Sequence, residues 1–179
     1  MNAEEIYQTK CNDNSDICQH MPTLRRYAEG LDTVVELGTR SIVSTWAFLV
    51  AKPKRLISVD IKHPFEYIEY DPAGCDLDLV YSEAGKLGVE FGFIKHDSVT
   101  VILPVCDLMF FDTIHTKHQL ACELQAHGAN VRKYMIFHDT ETYRSECLPA
   151  ILLYIRENSI WSVAEEYFNN NGLLILKRS

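Results

Sequence analysis

The chain has 179 residues, 47% hydrophobic and 23% charged, and carries a formal net charge of −8. That is enough for one ordinary core but cramped for two, and the profile is that of a folded domain rather than a disordered chain. The acidic balance and the lack of a Lys/Arg block argue against nucleic acid as the partner, and no apolar run approaches a membrane span.

The opening MNAEEIYQTKCNDNSD is polar and acidic, unlike a signal peptide. Six cysteines form no C-x-x-C pair, and several lie in apolar contexts. They read as reduced thiols of a cytoplasmic protein.

A single domain over 1–179 is expected, beginning with an N-terminal helical arm over 1–30 whose MPTLRRYAEGL helix is stopped by Gly30. TVVEL (33–37) is a β-branched strand, followed by a helix from about Ser41 to Val50 and a second strand, RLISVD (55–60). Pro64 and Pro72 bracket a loop, and CDLDLVYSEAGKLG (75–88) has helix composition with a glycine stop. VEFGFIKHD (89–97) is a third strand and CDLMFFD (106–112) a fourth, apolar throughout as a strand buried on both faces should be. A helix over 115–130, a fifth strand YMIFHD (134–139) and a helix over 144–158 continue the alternation. Such alternation predicts a parallel sheet covered on both faces. The end differs: WSVAEEYF and GLLILKR are strand-like runs joined by NNN (169–171) and Gly172, an antiparallel hairpin.

In doubly wound sheets ligands gather at the carboxyl ends of the strands. The first strand ends in Glu36-Leu37-Gly38-Thr39-Arg40, where Gly38 lets backbone approach a ligand and the following helix start, with Ser44, supplies polar groups. Its single glycine suits a ligand without a pyrophosphate, which would require several. The second ends in Asp60, 22 residues past Gly38, the spacing of an acceptor for a ribose diol. The third ends in His96-Asp97-Ser98, polar groups suited to an adenine edge.

SDICQHMPTLRRYA, VVELGTRSIVSTWAFL, CDLMFFDTIHTKHQLACEL and YMIFHDTETY together resemble the class I S-adenosylmethionine-dependent methyltransferases, nearest the macrolide-sugar O-methyltransferase and cephalosporin-hydroxylase-like group. The resemblance covers roughly residues 16 to 179. It implies a doubly wound, Rossmann-like α/β fold, mostly parallel, with a C-terminal antiparallel hairpin. It places Glu36 and Gly38 at the methionine end of the cofactor, Asp60 at the ribose and Asp97 at the adenine, with Thr39, Arg40, Ser44, Ser98 and Asp112 completing the cofactor set. The implied activity is O-methylation of a small hydroxylated acceptor, sugar-like or glycosylated.

The fourth and fifth strand ends carry Asp112 and the pair His138-Asp139, two carboxylates and an imidazole brought together by neighbouring strands. They are candidate ligands for Mg²⁺ or another divalent metal. In similar enzymes an acidic pair follows the fifth strand, so His138 reduces the negative charge and favours Mn²⁺ or Fe²⁺ if a metal binds. His115, three residues after Asp112, is the candidate general base, with Asp112 beside it in the catalytic pair. His115, His118 and Cys122 also have the spacing of one helical face, but no fourth zinc ligand accompanies them. Trp46, Phe48 and Trp161 read as core, and Arg25 and Arg26 as a solvated helix face.

Two departures feed an alternative, a degenerate non-catalytic relative that binds a ligand or partner. The family loop commonly has a second glycine where this chain has Ile42, and relatives often read D-x-D-H where Ile114 replaces the second aspartate. A nicotinamide-dependent reductase would need the absent G-x-G-x-x-G. Only the N-terminal arm and the 61–74 loop remain to cover a substrate, so the site is either open to a large acceptor or completed by a second subunit in a homodimer.

Overall fold

The computed structural model describes residues 1–67 and 76–179; Pro72, Cys75 and the whole second half of the 61–74 loop lie outside them. Among the described residues seven strands form one sheet: β1 Thr33–Leu37, β2 Arg55–Asp60, β3 Glu90–Lys95, β4 Cys106–Phe111, β5 Val131–His138, β6 Trp161–Tyr167 and β7 Leu173–Arg178. Their order is β3-β2-β1-β4-β5-β7-β6, parallel from β3 to β5, with β7 running antiparallel to both β5 and β6. The expected hairpin is therefore present.

Burial explains which runs became inner strands. All six residues of β4 are buried, as are the last four of β1, so both faces of the sheet centre are covered. One face packs on α1 (Ala3–Asn12), α2 (Met21–Ala28), α3 (Ser44–Val50) and α4 (Leu77–Leu87) through Ile6, Met21, Leu24, Phe48 and Val80. The other packs on α5 (Lys117–His127) and α6 (Arg144–Glu157) through Leu120, Leu124 and Ile151. Trp46, Phe48 and Trp161 are core, as read. Arg25 and Arg26 are surface residues paired to Glu4 and Glu165. Among the described residues no helix is long and apolar enough to cross a membrane.

Two helix starts differ from expectation, and the helical arm gains a helix whose bounds the sequence reading left open. The polar arm holds a full helix, α1, nucleated by a capping box in which Asn2 and Glu5 exchange side-chain-to-backbone hydrogen bonds. α3 starts at Ser44 rather than Ser41, because Arg40 and Ile42 both take left-handed backbone (φ +45° and +60°) that a helix cannot contain. α5 starts at Lys117, where the Thr116 hydroxyl accepts from the Gln119 N–H; His115 stays outside the helix.

Candidate active site

Strand order reverses between β1 and β4, and a cleft opens at the carboxyl ends of the strands beside that point. Its volume is about 380 Å³, and its wall includes Gly38, Arg40, Asp60, Asp97, Ser98, Asp112, His115 and Asp139. Residues read from five separate strand ends are thus brought together. A second cavity of about 690 Å³, between α1 and the start of α3, takes in Thr39 and Ser44 and shares Asp16, Gly38, Arg40 and Asp112 with the first. Glu36 lines neither.

The Gly38 turn is built by the chain for its own needs first. Gly38 has φ +87°, and a Cβ there would stand 1.9 Å from the Asp112 carbonyl oxygen. The close approach expected toward a ligand is made to the end of β4. The N–H groups expected to be free are also engaged: those of Thr39 and Arg40 both donate to Asp60 Oδ2, at 2.9 and 2.8 Å. The loop is a small anion nest whose anion is Asp60. Asp60 Oδ1 accepts from the Lys62 N–H and the Tyr67 hydroxyl, so its four acceptor positions are filled and a ribose diol would have to displace one of these partners.

Ile42 keeps the left-handed backbone that the missing glycine would have supplied, φ +60°, and its side chain is fully buried. For a β-branched residue this is strained, and core packing holds it there. Behind the loop, Glu36 is fully buried and accepts hydrogen bonds from the hydroxyls of Ser44, Thr45 and Ser58. Burial pushes its pKa up to about 7 despite those three donors.

At the other end of the cleft four ionisable groups meet. His115 Nε2 lies 2.8 Å from Asp139 Oδ2 and 3.3 Å from Asp112 Oδ1. His138 Nδ1 lies 3.2 Å from Asp112 Oδ1 and 3.4 Å from Asp139 Oδ2. The His138 Nε2 is 3.1 Å from the Asp16 carbonyl, which can only accept, so Nε2 carries a hydrogen and Nδ1 is the atom turned to the carboxylates. Burial opposes charge on both rings, yet the carboxylates outweigh it, raising His138 to about 11 and His115 to about 9. The imidazoles hold Asp112 and Asp139 below the usual carboxylate range against burial. Tyr143 stacks on the His115 ring, centroids 4.7 Å apart and planes 15° apart.

Ligand atoms of Asp112, His138 and Asp139 all lie within 4.8 Å of one another, and the buried Asp139 Oδ1 has no hydrogen-bond partner. Two hard carboxylates, an orphaned oxygen and an imidazole pinned from behind by a carbonyl fit a divalent cation, which would take the place of the proton that His138 Nδ1 presents to the carboxylates. His118 and Cys122 do not join His115: they meet each other at 3.8 Å on α5, while His115 turns into the cleft.

Several contributors were not read from the sequence. Asp16 reaches the cleft from the N-terminal arm, and its side chain pairs with Arg40 at 3.2 Å. Tyr67, Thr113, Gln119, Tyr143 and Asn171 also line the cleft. The NNN run explains itself here. The Asn171 carbonyl accepts the N–H groups of Glu141 and Thr142, and Asn170 holds Ser15 and Gln19, so the hairpin tip clamps the loop after β5 to the N-terminal arm. The repeated asparagines, with φ +45° at Asn170 and +69° at Asn171, were the available signal.

No protein-family model matches the chain, and no curated protein matches it. Solved structures do. The N-methyltransferase NodS from Bradyrhizobium japonicum WM9 superposes with a TM-score of 0.60 at 11% identity, covering 93% of this chain and 98% of that one. An O-methyltransferase from Bacillus cereus in complex with SAH gives 0.62 at 14%, covering 99% and 90%. A ribosomal protein L11 methylase from Lactobacillus delbrueckii subsp. bulgaricus gives 0.60 at 16%, covering 90% and 80%. At such identities the likeness establishes the class I methyltransferase architecture. The three names span different acceptors, so the architecture leaves the acceptor open.

Proposed function

We propose that the chain is an S-adenosylmethionine-dependent methyltransferase that methylates a hydroxyl of a small acceptor, sugar-like or glycosylated, with a divalent cation held by Asp112, His138 and Asp139. One observation carries this reading: His115 Nε2 stands 2.8 Å from Asp139 in the same cleft as Gly38, Asp60 and Asp97. A histidine oriented by a carboxylate thereby shares one opening with the residues proposed to hold the cation and the cofactor.

The cofactor supplies an electrophilic methyl on a sulfonium, and the cation supplies positive charge that lowers the pKa of a nearby hydroxyl. The chain's own residues do the rest. With the cofactor bound, an acceptor hydroxyl in this cleft would be the nucleophile, and its proton would pass to His115 Nδ1, because Nε2 already donates to Asp139. Asp112 and Asp139 set the position of that ring, and Tyr143 fixes its plane from the open side. Ile61 and Ile114, both largely exposed at the cleft, offer apolar surface to the body of an acceptor whose hydroxyl reaches His115.

The alternative, a degenerate relative that binds without turnover, is favoured by the filled acceptor positions of Asp60. Calorimetry with S-adenosylmethionine and S-adenosylhomocysteine tests the main reading. Binding in the micromolar range is expected, weakened at least about tenfold by Asp60→Ala. Absence of binding by both compounds would sink it. Binding without methyl transfer across a panel of hydroxylated acceptors would favour the alternative.

A further inference from the structure

α5 carries a polar stripe on a face that should be apolar: Gln119, Glu123 and His127, four residues apart, all turn toward the loop after β3. Glu123 is fully buried and belongs to none of the chemistry described above. Its Oε1 accepts from the Ser98 hydroxyl at 2.6 Å, the Thr113 hydroxyl at 2.7 Å and the Gln119 amide nitrogen at 2.9 Å, while its Oε2 has no partner. His127 holds the same loop from beneath, Nε2 to the Ser98 carbonyl at 2.6 Å.

This arrangement fixes the direction of every hydrogen bond around it. Carboxylate oxygens only accept, so the Gln119 atom facing Glu123 must be the amide nitrogen. That nitrogen also donates to Ser98 Oγ at 3.1 Å, so both of its hydrogens are engaged. The single Ser98 hydroxyl hydrogen goes to Glu123. Toward the cleft, which both side chains line, Gln119 therefore offers its carbonyl oxygen and Ser98 a lone pair. Asp97, beside them, adds a carboxylate of which Oδ1 takes the Val99 N–H. The end of the cleft is an array of acceptors, and an array of acceptors recognises a donor.

We propose that Glu123 is a specificity-determining positioning residue: by locking the Gln119 amide and the Ser98 hydroxyl, it makes this end of the cleft select a 6-amino purine and reject a 6-oxo purine. The inference rests on the cofactor reading above and extends it to a residue behind the cleft wall. An exocyclic amine donates to the acceptors. An oxo group in its place sets lone pair against lone pair.

The test is calorimetric titration with S-adenosylhomocysteine and its 6-oxo counterpart, S-inosylhomocysteine. The wild-type protein is expected to prefer the amino compound by about 30-fold or more. Gln119→Ala, at a half-buried position, should reduce that ratio to about threefold or less. Glu123→Met, which frees the Gln119 amide to turn, should do the same. Glu123→Gln, whose side-chain oxygen can accept the same three donors, should restore the ratio. In a Ser98→Ala, Gln119→Ala background Glu123→Met should change the ratio no further, whereas a merely structural role would weaken both compounds together and leave their ratio intact. Equal wild-type affinity for the two compounds, or a ratio untouched by Gln119→Ala, overturns the proposal. Failure of both compounds to bind the wild type instead removes the cofactor reading beneath it.

Discussion

Gly38 and Asp112 meet backbone to backbone: a methyl group on Gly38 would stand 1.9 Å from the Asp112 carbonyl oxygen. The contact ties the β1 turn to the strand end that bears a candidate cation ligand, and it joins a left-handed φ of +87° to a space with no room.

Gly38→Ala is therefore expected to lower unfolding free energy by at least about 3 kcal/mol, from left-handed strain plus the backbone clash. Gly30→Ala, at φ +71° with nothing within 4 Å, should lose only about 1 kcal/mol. Denaturant titration of the two variants reads the difference, and equal losses would contradict the contact.

Ile42→Gly separates strain from packing. Removing a fully buried isoleucine costs about 2–5 kcal/mol, and releasing a left-handed non-glycine returns about 1–2 kcal/mol. The variant should be destabilised by up to about 4 kcal/mol net. A more stable variant would mean that strain, not core filling, dominates at this position.

Glu36 predicts a pH dependence. Its pKa is about 7 in the folded chain against an ordinary 4.5, so the folded state binds more protons across that window. Stability from this group is full below pH 4.5 and is lost as pH rises through 7, by about 3 kcal/mol. Glu36→Gln, which cannot titrate, should flatten that fall. Parallel stability curves for the two proteins from pH 4.5 to 7 would refute the assignment.

Asp139→Ala should weaken Mn²⁺ binding on the order of 100-fold, since it removes one of three ligands and the only one with an orphaned oxygen. Unchanged affinity would remove the cation from the proposed chemistry.

His115→Gln should lower kcat by about 10²- to 10⁴-fold while S-adenosylhomocysteine still binds. A kcat near wild type would move the base elsewhere.

The strand ends were legible because parallel α/β sheets gather ligands there and because Gly38, Asp60, Asp97, Asp112 and Asp139 each follow an apolar run. The contributions of Asp16 and Asn171 were not, since each reaches the cleft from an element distant in sequence, and Tyr67, close to Asp60 in the chain, carries no motif of its own. Glu123 was missed for a different reason: inside a helix, one buried acid among ordinary residues has no periodic mark until its partners are known.

Apolar periodicity, glycine stops and the Asn-Gly turn by themselves determined the mostly parallel sheet with its terminal hairpin, because burial and backbone sterics act locally. Only the tertiary structure decided what the polar strand ends do. Their carboxylates accept from whichever donors the packing delivers, so Asp60 fills the turn it was expected to leave free and Glu36 is sealed behind three hydroxyls. Hydrogen-bond direction belongs to pairs of residues, and the pairing of residues 8 to 22 positions apart is set by the fold.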